Sequence, residues 1–457
     1  MYKIYASVVT GMGTQLRKGK KTISSTNLLS KSSISLLLLM LSLIGYVPNC
    51  FAQTTGIYES YSILSINGGA NAFYDMNAAT ANPDLQGSVL GSFNSTQSLV
   101  VKGGQNKTFK CSGGNVTGSN LNYRVWLTSA GASGTFTVLS MSFVSNDAGG
   151  CGGNQTWQGT AGVANIISGL TTPGNYTLEV FSDAPGSPST AFSNNGGANY
   201  KATFNYCGPT TGALPVGNYA IPGCFATVQA AVAYINTNGV SGTGTVQFDV
   251  AAGGSETAPA GGISITATGT ATTAIKFVKA AGSAYTITAG VGTTTTTDAI
   301  IKIIGGDYIT IDGFSLLESA GNTTTTTQVE WGIALLYATA TNGAQNVTLQ
   351  NNTITLNRTN ANTFGIYSNS THTATVVGTS ATATGTTGGN SGLRIYNNTI
   401  SNVNQGIVIV GPTAAADANT GIEIGGASLG NSITNFGTTT TASYINVSGT
   451  VNGPGVR

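Results

Sequence analysis

Charge is scarce in this chain. Only 7 % of its 457 residues are Asp, Glu, Lys or Arg. A disordered chain carries more charge and fewer apolar side chains than the 40 % found here. Long amphipathic helices are excluded from nearly the whole chain, because their solvent face needs charged residues. Histidine is limited to His372 and there is no CxxC pair, so the spacings that hold zinc are missing. Beyond residue 52 no apolar run approaches the roughly 20 residues that a membrane-spanning helix requires.

The formal net charge of +2 misleads. Residues 1–52 hold Lys3, Arg17, Lys18, Lys20, Lys21 and Lys31 and no acid; residues 53–457 hold 11 basic and 15 acidic residues, a net of −4. A nucleic-acid partner needs a basic face to neutralise phosphates, and none is visible, so no nucleic acid is expected. The basic stretch leads into an apolar run from Ile34 to Val47 and then Cys50-Phe51-Ala52. This is the pattern of a secretory signal, with Gln53 as the expected mature N-terminus. An uncleaved anchor and acylation at Cys50 are the alternatives. Removing residues 1–52 leaves Cys111, Cys151, Cys207 and Cys224. Four cysteines in an exported chain suggest two disulfides, with three possible connectivities. Cys111–Cys151 with Cys207–Cys224 is the expected pairing.

What the chain does have is glycine, 64 residues of it, with abundant Thr, Ser and Asn. In 53–207, apolar and polar residues alternate through Tyr123–Leu127, Phe136–Met141, Tyr176–Phe181 and Tyr200–Phe204, separated by Gly, Asn, Ser and Pro clusters. Period-two runs so spaced predict an antiparallel β-sandwich. Residues 208–218 read as a Pro/Gly/Thr linker. One helix is predicted over Phe225–Asn236, with Val228, Val232 and Ile235 on one face and Gly239 able to end it. It precedes the first repeats, where a repeat stack needs a cap over its apolar end and unpaired edges.

From about Thr245 the chain repeats. Ile309–Leu316, Val347–Ile354 and Leu393–Ile400 align without gaps, and Ile422–Gly425 continues into Gly430–Ile433 after an insertion. A Gly-Ile strand follows each of the first three, at Gly332, Gly365 and Gly406. Alternate residues of a short strand point to one side, so Val347, Leu349, Ile354 and their counterparts are expected to fill one axial core. Gly or Asn after the first strand makes the corner, since both tolerate left-handed backbone angles. Asn351 and Asn397 fall at one corner, where stacked amides could bond along the axis. Thr-rich insertions, Thr323–Thr327 and Thr371–Thr387, are expected to bulge from individual coils.

These repeats resemble the parallel β-helix repeats of the pectin-lyase-like superfamily. More narrowly, Gly305–Phe314, Ile221-Pro222-Gly223 and Ile424–Ile433 look like large Bacteroidota cell-surface proteins, over about 215–447. The segments Glu59–Gly69, Leu121–Val125 and Gly174–Val180 loosely resemble an accessory β-domain of such proteins. The resemblance implies an all-β chain: an N-terminal antiparallel β-sandwich, then a right-handed parallel β-helix over 219–457 with one capping helix. It further implies export as type IX secretion cargo. Relatives usually continue into further modules, so the chain is expected to be incomplete at its C-terminus.

The superfamily includes polysaccharide lyases and hydrolases. Glycoside hydrolysis needs two carboxylates about 5–10 Å apart across the bond. Asp312 shares its outward column with Gln350, Tyr396 and Gly425, and Asp307 is an odd number of residues away, hence on the other face of a strand. Lyases of this fold typically use calcium-binding acids with a Lys or Arg base. Arg358 and Arg394 are candidate bases, but no acidic cluster accompanies them, and Arg394 beside Glu423 predicts a surface ion pair. His372 sits in a Thr-rich insertion. Gly149–Gly153 and Asn194–Gly197 lack the Lys-Ser/Thr and helix of a phosphate loop. Trp126 and Trp157 are candidates for stacking on sugar rings if exposed. The leading expectation is therefore a secreted or cell-surface, non-enzymatic, adhesin-like or glycan-binding scaffold without cofactor or metal. A polysaccharide lyase or glycoside hydrolase is the alternative, and a mere spacer the third.

Overall fold

The computed structural model describes residues 54–111, 113–149, 153–369, 383–412, 414–437, 443–448 and 451–452. The segment read as a signal, residues 1–52, together with Cys151 and His372, lies outside them. The chain is mostly strand, in one large, mainly antiparallel sheet and three parallel ones. Among the described residues no helix is long and apolar enough to cross a membrane.

The antiparallel sheet holds Thr55–Ile66, Leu99–Lys110, Ser119–Leu127, Thr137–Asp147, Gly174–Ala184 and Tyr200–Tyr206 as its longest strands. Thr137–Asp147 changes partner midway. Its first half pairs with Ser119–Leu127 and its second with Asn154–Gln158. The sheet thereby folds over one core, in which Leu64, Leu99 and Val101 join Leu121, Leu178, Val180 and Phe204.

The parallel sheets arise from a chain that visits each in turn. The first contains Leu214–Ile221, Val240–Val250, Thr273–Lys279, Ile309–Asp312, Thr348–Gln350, Arg394–Tyr396 and Glu423–Ile424. The second runs from Ser255–Thr257 to Ser432–Phe436 and the third from Ile263–Ile265 to Ser443–Ser448. Each turn of chain therefore lays one strand beside the strand of the turn before it. Ile311, Leu349, Ile395 and Ile424 are lateral partners, as the aligned repeats require. Upstream the same column continues through Phe277 and Phe248, whose rings stack 4.6 Å apart. These inward residues form a single buried core.

The repeated glycines have distinct causes. Gly313, Asn351, Asn397 and Gly425, the residues after the first strand, all have positive φ. Gly332 and Gly365 answer to packing: a Cβ on either would stand 2.4 Å from Cγ2 of Ile354 or Ile400. Behind each corner asparagine lies a buried one that the repeat pattern alone did not single out. Asn352 Nδ2 donates to Asn398 Oδ1 at 3.0 Å, and Asn398 Nδ2 to Asn431 Oδ1 at 3.0 Å. The same nitrogens donate to the carbonyls of Ile311 and Leu349 on the preceding coil. A buried amide is tolerated only when its donors and acceptors are satisfied.

Two expectations need adjustment. The segment read as a linker enters the first sheet at Leu214, pairing in parallel with Val240; alternation over Leu214–Ile221 is masked by its proline and glycine. The helix, α1, spans Val228–Asn238 and starts later than predicted. The amide groups of Cys224 and Phe225 turn back to the Ala220 carbonyl, and Thr227 Oγ1 caps the helix by accepting from Ala230 N. Val228, Ala231, Val232 and Ile235 join the axial core. Asn236 accepts from the amides of Thr266 and Ala267 and donates to Ser264 O, so the helix also satisfies backbone groups at the edge of the third sheet's first strand.

Replacing Asn398 by Ala removes a buried side chain that four hydrogen bonds engage. The expected loss in urea unfolding is about 2–4 kcal/mol. Asn397→Gly, at an exposed left-handed corner, should change stability by less than about 1 kcal/mol.

Candidate functional site

In the first sheet every second residue faces outward, and there the polar side chains collect. One outward column runs Gln247, Lys276, Thr310, Thr348, Arg394, Glu423; the other runs Asp249, Val278, Asp312, Gln350, Tyr396. Neighbouring strands stand about 4.8 Å apart. The face therefore offers hydrogen-bonding groups at a regular interval along the stack.

Its carboxylates are held by neutral donors. Asp249 accepts from Gln247 Nε2 and Asn218 Nδ2, both at 2.7 Å. Asp312 accepts from Gln350 Nε2 and Asn351 Nδ2, both at 2.7 Å, and Asn397 Nδ2 donates in turn to Asn351 Oδ1 at 2.8 Å. The expectation of an Arg394–Glu423 ion pair is corrected here. The two are lateral partners, but among the described residues the salt bridges are Lys107–Glu59 and Arg124–Glu179. The Tyr396 hydroxyl donates to Glu423 instead. The phenol reaches across from the next column and takes the acceptor that the guanidinium would use. Arg358 is exposed in a turn away from this face.

Asp249 extends the Asp312 column upstream, into strands that lack the Asn-Asn corner of the aligned repeats. It lies two strand steps from Asp312 with Val278 between them, about 10 Å. It also lines a cleft of about 360 Å³ with Asn218, Asn175, Pro173 and Leu127, where the antiparallel sheet meets the first coils. The Cys207–Cys224 disulfide ties the same two parts together. Cys111 is disulfide-bonded as well.

The two tryptophan candidates present no open ring face. Trp126 is 7 % exposed and Trp157 8 %. The Arg124 guanidinium lies 5.1 Å from the Trp126 ring. Trp157 donates to Thr108 Oγ1 at 3.2 Å and meets Phe143 edge-on. Solvent reaches Phe192 and Phe143 instead, at 56 % and 47 %. Strand alternation says that two faces differ, not which one is covered.

A second polar cluster sits on the outward side of the third sheet, which is covered. Trp331 stacks on Tyr367 at 4.7 Å, and Phe364 lies 5.4 Å from the same ring. Beside them Glu330 is wholly buried. Its Oε2 accepts from the Asp298 amide at 2.8 Å, while Oε1 has no partner among the described residues. Asp298 in turn accepts from the amides of Thr293 and Thr294. Burial, with Asp298 adding repulsion, pushes the Glu330 carboxyl up to about 7. Burial pushes Lys302 down against the pull of both acids.

No family model matches the chain, and no curated protein matches it. Among solved structures it is similar to the catalytic domain of GH87 alpha-1,3-glucanase in complex with nigerose, at 12 % identity over 86 % of this chain and 75 % of that one, with a TM-score of 0.12. A score that low carries no argument.

Glu330 yields a pH signature. The folded state binds its proton more tightly than the unfolded state does, so its contribution is present below the unfolded pKa and is lost as pH rises through about 7. The span corresponds to about 3 kcal/mol. Burial moves Glu256, Asp307 and Glu318 in the same direction, so the informative quantity is a difference. Between pH 5 and 9 the melting temperature of the native chain should fall further than that of Glu330→Gln.

Proposed function

We propose that the chain is an exported scaffold that binds a polysaccharide or cell-surface glycan along the outward face of its first parallel sheet. In this reading 1–52 is a signal peptide, 53–207 a β-sandwich, and the coils from Leu214 onward a right-handed parallel β-helix of the pectin-lyase-like kind. The protein acts outside the cell or on its outer surface, as an adhesin-like, non-enzymatic module. The observation that carries the reading is the pair of outward columns in which every position but Val278 offers a hydrogen-bonding group, with Asp249 in a cleft near their upstream end. Sugar hydroxyls both donate and accept, and such a row meets both needs. Ligand sites favour concave junctions between structural units, and the cleft is one. The disulfide between Cys207 and Cys224 fits an oxidising compartment.

A specific observation favours a second reading, a polysaccharide-degrading enzyme. Asp249 and Asp312 share a column at about the upper limit of the separation used by inverting glycosidases. Against it, both carboxylates are engaged by amide donors.

The two readings separate in one experiment. The chain is incubated with neutral and acidic polysaccharides, and sedimentation, reducing ends and unsaturated products are followed together. Binding without product is expected, and Asp249→Ala should weaken it about tenfold, the equivalent of one hydrogen bond to a charged group. Product that disappears in Asp312→Asn would establish the second reading, and failure to bind any glycan would end the first.

A further inference from the structure

The second sheet presents a different outward face. One column runs Ser255, Thr286, Ser315, Thr353, Thr399, Ser432, each the lateral partner of the next. The residue two places further along each strand forms a second column, again Ser or Thr at every step except Leu317. Eleven of the twelve positions are hydroxyls and none is charged. All are exposed or half-exposed. Of the residues between the columns, Ile287, Leu316, Ile354 and Ile400 are wholly buried in the axial core, while Glu256 and Ile433 at the two ends are half-buried, so the middle of both columns is anchored from beneath. No register shift interrupts any pair of strands in this sheet.

The result is a two-dimensional grid. Along the stack the hydroxyls repeat at the strand spacing, about 4.8 Å; along each strand they repeat at two residues, about 6.7 Å. The oxygen rows on the prism face of hexagonal ice repeat at closely similar distances in both directions. A hydroxyl donates one hydrogen bond and accepts two, as a lattice water can. The threonine methyl groups between them disfavour disordered water. Ligand sites favour a concavity with a few convergent polar groups, such as the cleft beside Asp249. The grid is open and carries no ring. Thr355 Oγ1 and Ser401 Oγ lie 3.1 Å apart, so this neighbouring pair has closed to hydrogen-bonding distance.

We propose that this face adsorbs to ice, through its hydroxyl grid. The surface is separate from the first-sheet face assigned to glycan, and either assignment can fail without the other.

The test uses the full chain, fluorescently labelled, in slowly growing polycrystalline ice. It should be enriched in the ice over the remaining liquid, where a globular control protein is excluded, and it should slow recrystallisation of fine-grained ice. Thr353→Lys with Thr399→Lys places two ammonium groups in the middle of the grid and should abolish both effects. Thr310→Lys with Thr348→Lys, the same change on the first sheet, should leave them intact. Circular dichroism and melting temperature certify the fold of each variant. Exclusion of the native chain from ice overturns the proposal, as does equal loss in the two double variants. Binding to crystalline chitin or cellulose that is lost only with the second-sheet substitutions, without ice enrichment, also overturns it and assigns the grid to a polysaccharide surface.

Discussion

Each turn of the coil can bury its aliphatic side chains only against the turns on either side. Register is therefore the constraint on which the parallel half of the molecule depends. A slip of one residue would turn Ile311, Leu349 or Ile395 outward and bring Thr310, Thr348 or Arg394 into the core. The backbone ladders cannot prevent that alone, because every residue offers them the same amide and carbonyl. The column of Asn352, Asn398 and Asn431 can, since each amide bonds both its neighbour's amide and a backbone carbonyl one coil away. The glycines at 332 and 365 act on the opposite wall, where only a missing Cβ lets the isoleucines of the second sheet pass.

With the interior so uniform, differences between the three faces lie in the alternate residues that look out. The first sheet shows amides and acids, the second hydroxyls, and the third a layer of aromatic rings that is itself covered. Extra residues in a coil are accommodated between strands, so the lengths of successive coils vary while lateral pairing does not. Thr324–Thr327 illustrates the economy of such an excursion: the hydroxyl of Thr327 accepts from the Thr324 amide and donates to the Thr324 carbonyl, while the Gly292 amide donates to the Thr327 carbonyl.

The legible part of this architecture was the part with aligned repeats. Ile309–Leu316, Val347–Ile354 and Leu393–Ile400 pair residue for residue as their alignment requires. The coils before them were harder to read, because Val246-Gln247-Phe248 and Ile275-Lys276-Phe277 share the pattern but not the Asn-Asn corner. Asp249 went unnoticed for that reason, and the strand from Leu214 was hidden by Pro215 and Gly217. Placement of Trp126 and Trp157 depended on which side of a folded sheet becomes the core, a tertiary fact that period-two alternation does not contain. Arg394 and Glu423 are lateral partners as expected; what a one-dimensional reading lacked was the phenol of Tyr396, on the strand of Arg394 and diagonal to Glu423.

The corner amides carry one more implication. Between side chains of the buried ladder, Asn352 donates forward to Asn398 and Asn398 to Asn431; in the exposed ladder Asn397 donates back to Asn351 and Asn351 back to Asp312. The two files of dipoles thus run in opposite senses side by side, and the outer one ends on a carboxylate. Asp312 accepts from both Gln350 and Asn351 and so forms the receiving terminus of the outer file. It gives the outer file a polarity: reversing any single amide would set two oxygens or two nitrogens face to face. A stack of near-identical parallel strands thereby acquires a distinguishable top and bottom along its surface, written in the orientation of its side-chain amides.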